Sequence, residues 1–177
     1  AQRDRFLMKV VIDYPTPMEE LEIVRRMGVD PPHAEQVLDP RRVLELQRQA
    51  DAVLIDQGTL DYAVNLVIAT RDPATHGLPD LAEMIEYGAS PRATLGLVAA
   101  GKAMALLRGR DYCVPQDVFD VAPDVMRHRL VLSYEALAAE LDVEHVLMRI
   151  LSTIPAPVVS PTTQDPARWA DREFRPS

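Results

Sequence analysis

The sequence holds a single cysteine, Cys113, so no internal disulfide can brace it, and a lone thiol suits the reducing cytoplasm. It has no run of about 18 apolar residues and no charged-then-apolar leader, so neither a membrane span nor a signal peptide is expected in it. Basic residues are scarce: 19 Lys and Arg against 27 Asp and Glu give a net charge of -8. A nucleic-acid surface usually carries a basic stripe, and none is expected here. The four histidines, His33, His76, His128 and His145, fall in separate segments. None forms the helical i, i+3 or i, i+4 pair that metal sites favour, so no metal ligand is expected. Cys113 lacks a CxxC partner and reads as a packing residue. No GxSxG nucleophile elbow occurs, and no pair of working carboxylates is indicated. The GxxxxGK[ST] loop that cradles phosphates is missing, as is a strand ending in adjacent acidic residues. By itself this stretch is not expected to hydrolyse a nucleotide.

What remains reads as helix. At 177 residues, with 47% hydrophobic and 26% charged, the chain can bury a sizeable core in one domain or two small ones. "FLMKVVIDY" (6–14), β-branched and stopped by Pro15, predicts one strand, which needs a sheet to join. Thr16 with Glu19 predicts a capping box, followed by Met18, Leu21, Val24 and Met27 at helical spacing and by Gly28 as a stop. A loop is expected over 29–38. Asp39 and Pro40 start a second helix, and "DQGTLDYAVNLVIATRD" (56–72) a third. Residues 73–89 form an irregular connection of the length that often carries function. From Ser90 to about Arg108 the sequence is apolar nearly all round and small-sided, which suits a central helix approached closely by its neighbours. Pro115 opens another helix, "HRLVLS" (128–133) is extended or irregular, and "DVEHVLMRILSTI" (142–154) is a last amphipathic helix. The Pro/Ser/Thr-rich tail over 158–177 is expected to be disordered unless Trp169 or Phe174 docks. The opening "AQRDRFLMKVVIDYP" lacks a starter Met and runs into a strand at once, as a piece of a longer protein would.

One residue in "YGASPRATLGL" (87–97) stands against local preference. Ser90 suits an N-cap and Pro91 the first helical position. Arg92 then adds a cation where the helix already carries about half a positive charge, which costs roughly 0.3–1 kcal/mol. Amides at Ala93 and Thr94, the helix dipole and the Arg92 guanidinium together would make an anion site, and Gly88 would let a large polyanion approach.

"DRFLMKVVIDYPTPMEELEIV", "GASPRATLGLVAAGKAMALLRGRDYCVPQDV", "APDVMRHRLVLSYEA" and "VEHVLMRIL" resemble, in order, the C-terminal portion of the MoxR-family AAA+ ATPases, over about residues 2–157. The resemblance implies a mainly α fold: a helical AAA+ lid bundle preceded by a single β-strand remnant of the αβα core. It assigns 1–30 to the end of the core and 31–157 to the lid. The arginine of "GASPR" resembles the sensor 2 residue, so Arg92, with Ser90 and Pro91 beside it, would reach the γ-phosphate of ATP. "LDRF" in these ATPases resembles an arginine-finger segment acting on the neighbouring subunit. Arg5 is the positional match, and Arg3 replaces the leucine of that block. Val114 stands where the family commonly has a capping Thr.

The intact protein would bind ATP with Mg2+, assemble into a ring, a hexamer, and use hydrolysis to remodel or mature client proteins as a chaperone. Proteins with von Willebrand A-type domains are frequent partners in the family. Walker A, Walker B and sensor 1 would lie upstream of Ala1, so this stretch alone is expected to bind no cofactor and to be inactive. A magnesium-chelatase-type AAA+ subunit has a similar lid and is the near alternative. A stand-alone helical interaction module would instead pair the 6–14 strand with another chain and leave Arg92 in solvent. A winged-helix nucleic-acid binder is disfavoured by the acidic balance.

Overall fold

A computed structural model describes residues 2–28 and 33–158. A single 3-10 turn, Arg3–Arg5, opens the chain, and α1 (Pro17–Met27) and α2 (Pro40–Ala52) follow. The remaining elements are β1 (Leu54–Ile55), α3 (Gln57–Arg71), two further 3-10 turns (Ala74–His76 and Pro79–Leu81), β2 (Ile85–Tyr87), α4 (Pro91–Leu107), β3 (Tyr112–Cys113), α5 (Pro115–Met126), β4 (Val131–Leu132), α6 (Tyr134–Ala138) and α7 (Val143–Thr153). The molecule is mainly helical, as expected, with its strands in two two-stranded ribbons. β1 pairs parallel with β3, Leu54 opposite Tyr112, and β2 pairs antiparallel with β4, Ile85 opposite Leu132.

Helix starts fall where the sequence places them. Thr16 and Glu19 form the capping box of α1, and the Asp39 carboxylate accepts from the Arg42 N–H at 2.8 Å. Asp56 caps α3 through the Thr59 N–H at 2.7 Å, and Asp142 caps α7 through that of His145. Val114 has no side-chain acceptor, so α5 keeps only half of a capping box: the Asp117 carboxylate accepts from the Val114 N–H at 2.9 Å.

Among the described residues, the buried apolar ones lie between Val53 and Ile154. The middle of that core is α4, which packs most extensively on α5 and also meets α2 and α3. Its small side chains make this possible. A Cβ on Gly101 would lie 3.1 Å from Cys113 Sγ and 3.2 Å from Val118 Cγ2. Burial pushes the Cys113 thiol up to about 12. The α4–α5 turn is clamped by charge. Asp117, fully buried, accepts from Arg108 at 2.7 Å and from Arg110 at 2.5 and 2.8 Å, and Arg108 also reaches Asp120. Burial pushes the Asp117 carboxyl up, yet these donors and the Val114 N–H hold it below the usual range. "RGRDY" and "PQDV" thus meet as a structural clasp.

The strand expected over 6–14 is not formed. These residues carry no strand ladder, because no neighbouring backbone offers one. The arm is fastened by donors instead: Lys9 N–H donates to Asp124 O at 2.9 Å, and arginines from the α5 end hold its carbonyls. The helix α6 was not foreseen; Ser133 caps it through the Ala136 N–H. The tail expected over 158–177 falls outside the described residues from 159 on, as does part of the 29–38 loop.

Candidate functional site

The N-terminus of α4 is set by the segment that delivers it. The Ala89 N–H donates to the buried Thr70 Oγ1 at 2.9 Å, and Thr70 Oγ1 donates to Val67 O. A Cβ on Gly88 would lie 2.5 Å from Thr70 O. Gly88 is therefore needed for close packing of this segment on the end of α3, and not for access by a ligand. Ser90 caps the helix, its Oγ accepting from the Arg92 N–H at 3.2 Å. The Ala93 N–H is not free, as the sequence implied, but donates to Ser90 O at 2.9 Å.

Onto this helix end folds the Arg3–Arg5 turn. Ser90 Oγ donates to the Asp4 carboxylate at 3.0 and 3.2 Å, and Arg92 Nη1 does so at 3.2 Å. A third donor arrives from the end of α5, where Arg129 Nε lies 3.1 Å from Asp4 Oδ1. Burial pushes the Asp4 carboxyl up, but its hydrogen bonds to Ser90, Arg92 and Arg129 outweigh that and hold it below the usual range.

The two arginines on Asp4 are unlike. Arg129 has a side chain only 3% exposed. Its guanidinium also donates to Asp4 O at 3.2 Å, Phe6 O at 2.6 Å, Leu7 O at 3.0 Å and Val125 O. Arg92 is 66% exposed, with Asp4 as its one side-chain ion-pair partner among the described residues. An exposed pair of this kind contributes about 0–1 kcal/mol, so Arg92 can exchange Asp4 for a more highly charged anion at little cost. Beside them, His128 Nε2 donates to Phe6 O at 3.0 Å, and burial holds the ring below its ordinary pKa.

Of the residues expected to act, Ser90, Pro91 and Arg92 share one helix end. Arg5 stands exposed in the turn packed on that end, its guanidinium 5.3 Å from the centroid of its neighbour Phe6. Arg3 is exposed as well. Nothing in the sequence points to Arg129, which sits 125 positions from Asp4. "RHR" is an unremarkable surface pattern until the fold buries one of its arginines. Among the described residues no group of three or more His, Cys, Asp or Glu could hold a metal ion. Among the same residues, no helix is long and apolar enough to cross a membrane.

The helical bundle around this site is an AAA lid domain: the family model of that description matches residues 80–150. The chain is 50% identical over 93% of its length to chaperone MoxR1 of Mycobacterium tuberculosis, of which it covers 44%. It is 32% identical to protein MoxR of Methylorubrum extorquens over 89% of its length and 50% of that protein. A crystal structure of a candidate ATPase from Cytophaga hutchinsonii superposes with a TM-score of 0.83 at 36% identity, covering 89% of this chain and 48% of that one. The chain belongs to the MoxR family of AAA+ proteins and corresponds to their C-terminal portion. It spans half or less of the length of these relatives.

Proposed function

We propose that this chain is the nucleotide-sensing lid of a cytoplasmic MoxR-type ATPase. The intact protein binds ATP with Mg2+, assembles into a hexameric ring and remodels or matures client proteins, those with von Willebrand A-type domains among them. The observation that carries the reading is Arg92: an exposed guanidinium at a capped helix start, already holding an anion, the Asp4 carboxylate. A carboxylate seated on Ser90 and Arg92 indicates that the donors there fit a phosphate oxygen. ATP supplies the phosphoanhydride that is cleaved, and Mg2+ is held by residues other than those described here.

In this reading Arg92 binds the γ-phosphate through charge-assisted hydrogen bonds, each contributing about 1.5–3 kcal/mol. Loss of that contact frees the lid to rotate as a rigid body. Arg5, exposed on the turn, neutralises charge at the neighbouring subunit's site, an effect that can reach about 10³–10⁵ in rate. Alone, the chain is expected to be inactive. ATP turnover by the intact protein tests this, with nucleotide binding and ring assembly followed in parallel. Arg92→Ala and Arg5→Ala should each lower turnover at least tenfold in rings that still assemble. Unchanged turnover in both would overturn the reading.

A further inference from the structure

Asp4 and Arg5 are consecutive residues of one 3-10 turn, and Asp4 is bound at once by two parts of the bundle. Ser90 and Arg92 hold it from the start of α4, and Arg129 holds it from the end of α5. Arg129 grips the turn twice over, by the Asp4 carboxylate and by the carbonyls of Asp4, Phe6 and Leu7. These oxygens accept from a guanidinium that is almost wholly buried, so the grip is costly to break. The Arg92 contact is exposed and cheap to break. The turn therefore has one permanent anchor and one exchangeable contact, both converging on the same carboxylate.

We infer that Asp4 is a positioning residue that fastens the Arg5 turn to the helix end carrying Arg92, so that the γ-phosphate sensor of one site and the arginine finger offered to the next move as one body. The inference rests on the roles proposed above for Arg92 and Arg5. When a γ-phosphate draws Arg92 away, Asp4 stays on Ser90 and Arg129, and the turn keeps its place on the lid. When the phosphate leaves, Arg92 returns to Asp4. The carboxylate also competes with the phosphate for Arg92, so nucleotide affinity and finger placement respond to the same residue in opposite senses.

That opposition gives a test that a merely structural role would not pass. In the intact protein, Asp4→Asn keeps the size of the side chain and a carbonyl acceptor but loses the charge. The expected result is ATP affinity equal to or above wild type, with turnover reduced about tenfold in rings that still assemble. Mixed rings locate the defect. An Asp4→Asn subunit keeps its own sensor but presents a poor finger, whereas an Arg92→Ala subunit lacks the sensor but presents a sound finger. Where the two adjoin, one competent site is rebuilt, so mixtures should exceed the activity of either variant alone. Asp4→Glu should restore part of the turnover.

A parallel fall of ATP affinity and turnover in Asp4→Asn, or mixtures whose activity is only the weighted mean, would overturn the inference. Wild-type turnover in Asp4→Asn would overturn it too. If Arg92→Ala and Arg5→Ala themselves turned over normally, the roles beneath the inference would fall first, and the two failures are told apart by those single variants.

Discussion

Two parts of this molecule use their apolar residues in opposite ways. Between Val53 and Ile154 they close a core in which Leu66, Leu97 and Ile150 have no exposed surface. In α1 and α2 no residue is buried, although Met18, Leu21, Val24 and Met27 of α1 repeat at helical spacing. The arm before α1 is exposed as well, Ile12 to 89% and Tyr14 to 97%, and only Met8 packs partly on the core. The bundle is held by burial, whereas the arm is held by arginines on its carbonyls. Amphipathic spacing therefore announces a helix but not what it packs against, and α1 presents an apolar face that the described residues do not cover.

Urea unfolding tests that contrast. Ile150→Ala removes a fully buried side chain and should cost about 2–5 kcal/mol, whereas Ile12→Ala should stay within about 0.5 kcal/mol. A large loss at Ile12 would mean that the arm packs on something in solution.

A comparable effect is expected at the clasp between α4 and α5. Asp117→Asn leaves Arg108 and Arg110 short of a charged acceptor and should cost about 3 kcal/mol at neutral pH. The folded-state pKa of Asp117 is depressed, so the unfolded chain binds more protons in acid. Its stabilisation is fully present above about pH 4 and is lost as pH falls through the lowered folded value. Acid titration of unfolding should therefore show a shallower decline below pH 4 in Asp117→Asn than in wild type.

A modest loss belongs to Ser90→Ala, which removes the α4 cap and one donor to Asp4. It should cost about 1 kcal/mol. A null result would mean that neither the cap nor the Asp4 contact made by Ser90 stabilises the fold.

Local chemistry made much of this legible in advance. The cap residues Thr16, Asp39, Asp56, Ser90 and Asp142 each start a helix where the sequence places one, because a side-chain acceptor and its amide lie within one turn. The small face of α4 was readable from Gly96, Ala100 and Gly101. The strand over 6–14 was misread because β-branched composition cannot report whether a partner strand exists. Gly88 was misread as an access point because the close approach of Thr70 O is a tertiary fact. Arg92 stood out because it opposes the helix dipole. Arg129 did not, because only the fold brings it to Asp4.

In the proposed function Arg92 exchanges the Asp4 carboxylate for a γ-phosphate. A structure of the intact protein with a non-hydrolysable ATP analogue tests it directly. The expected result is the Arg92 guanidinium on the γ-phosphate, with Asp4 left on Ser90 and Arg129. Arg92 still paired with Asp4 while the γ-phosphate is bound elsewhere would contradict it.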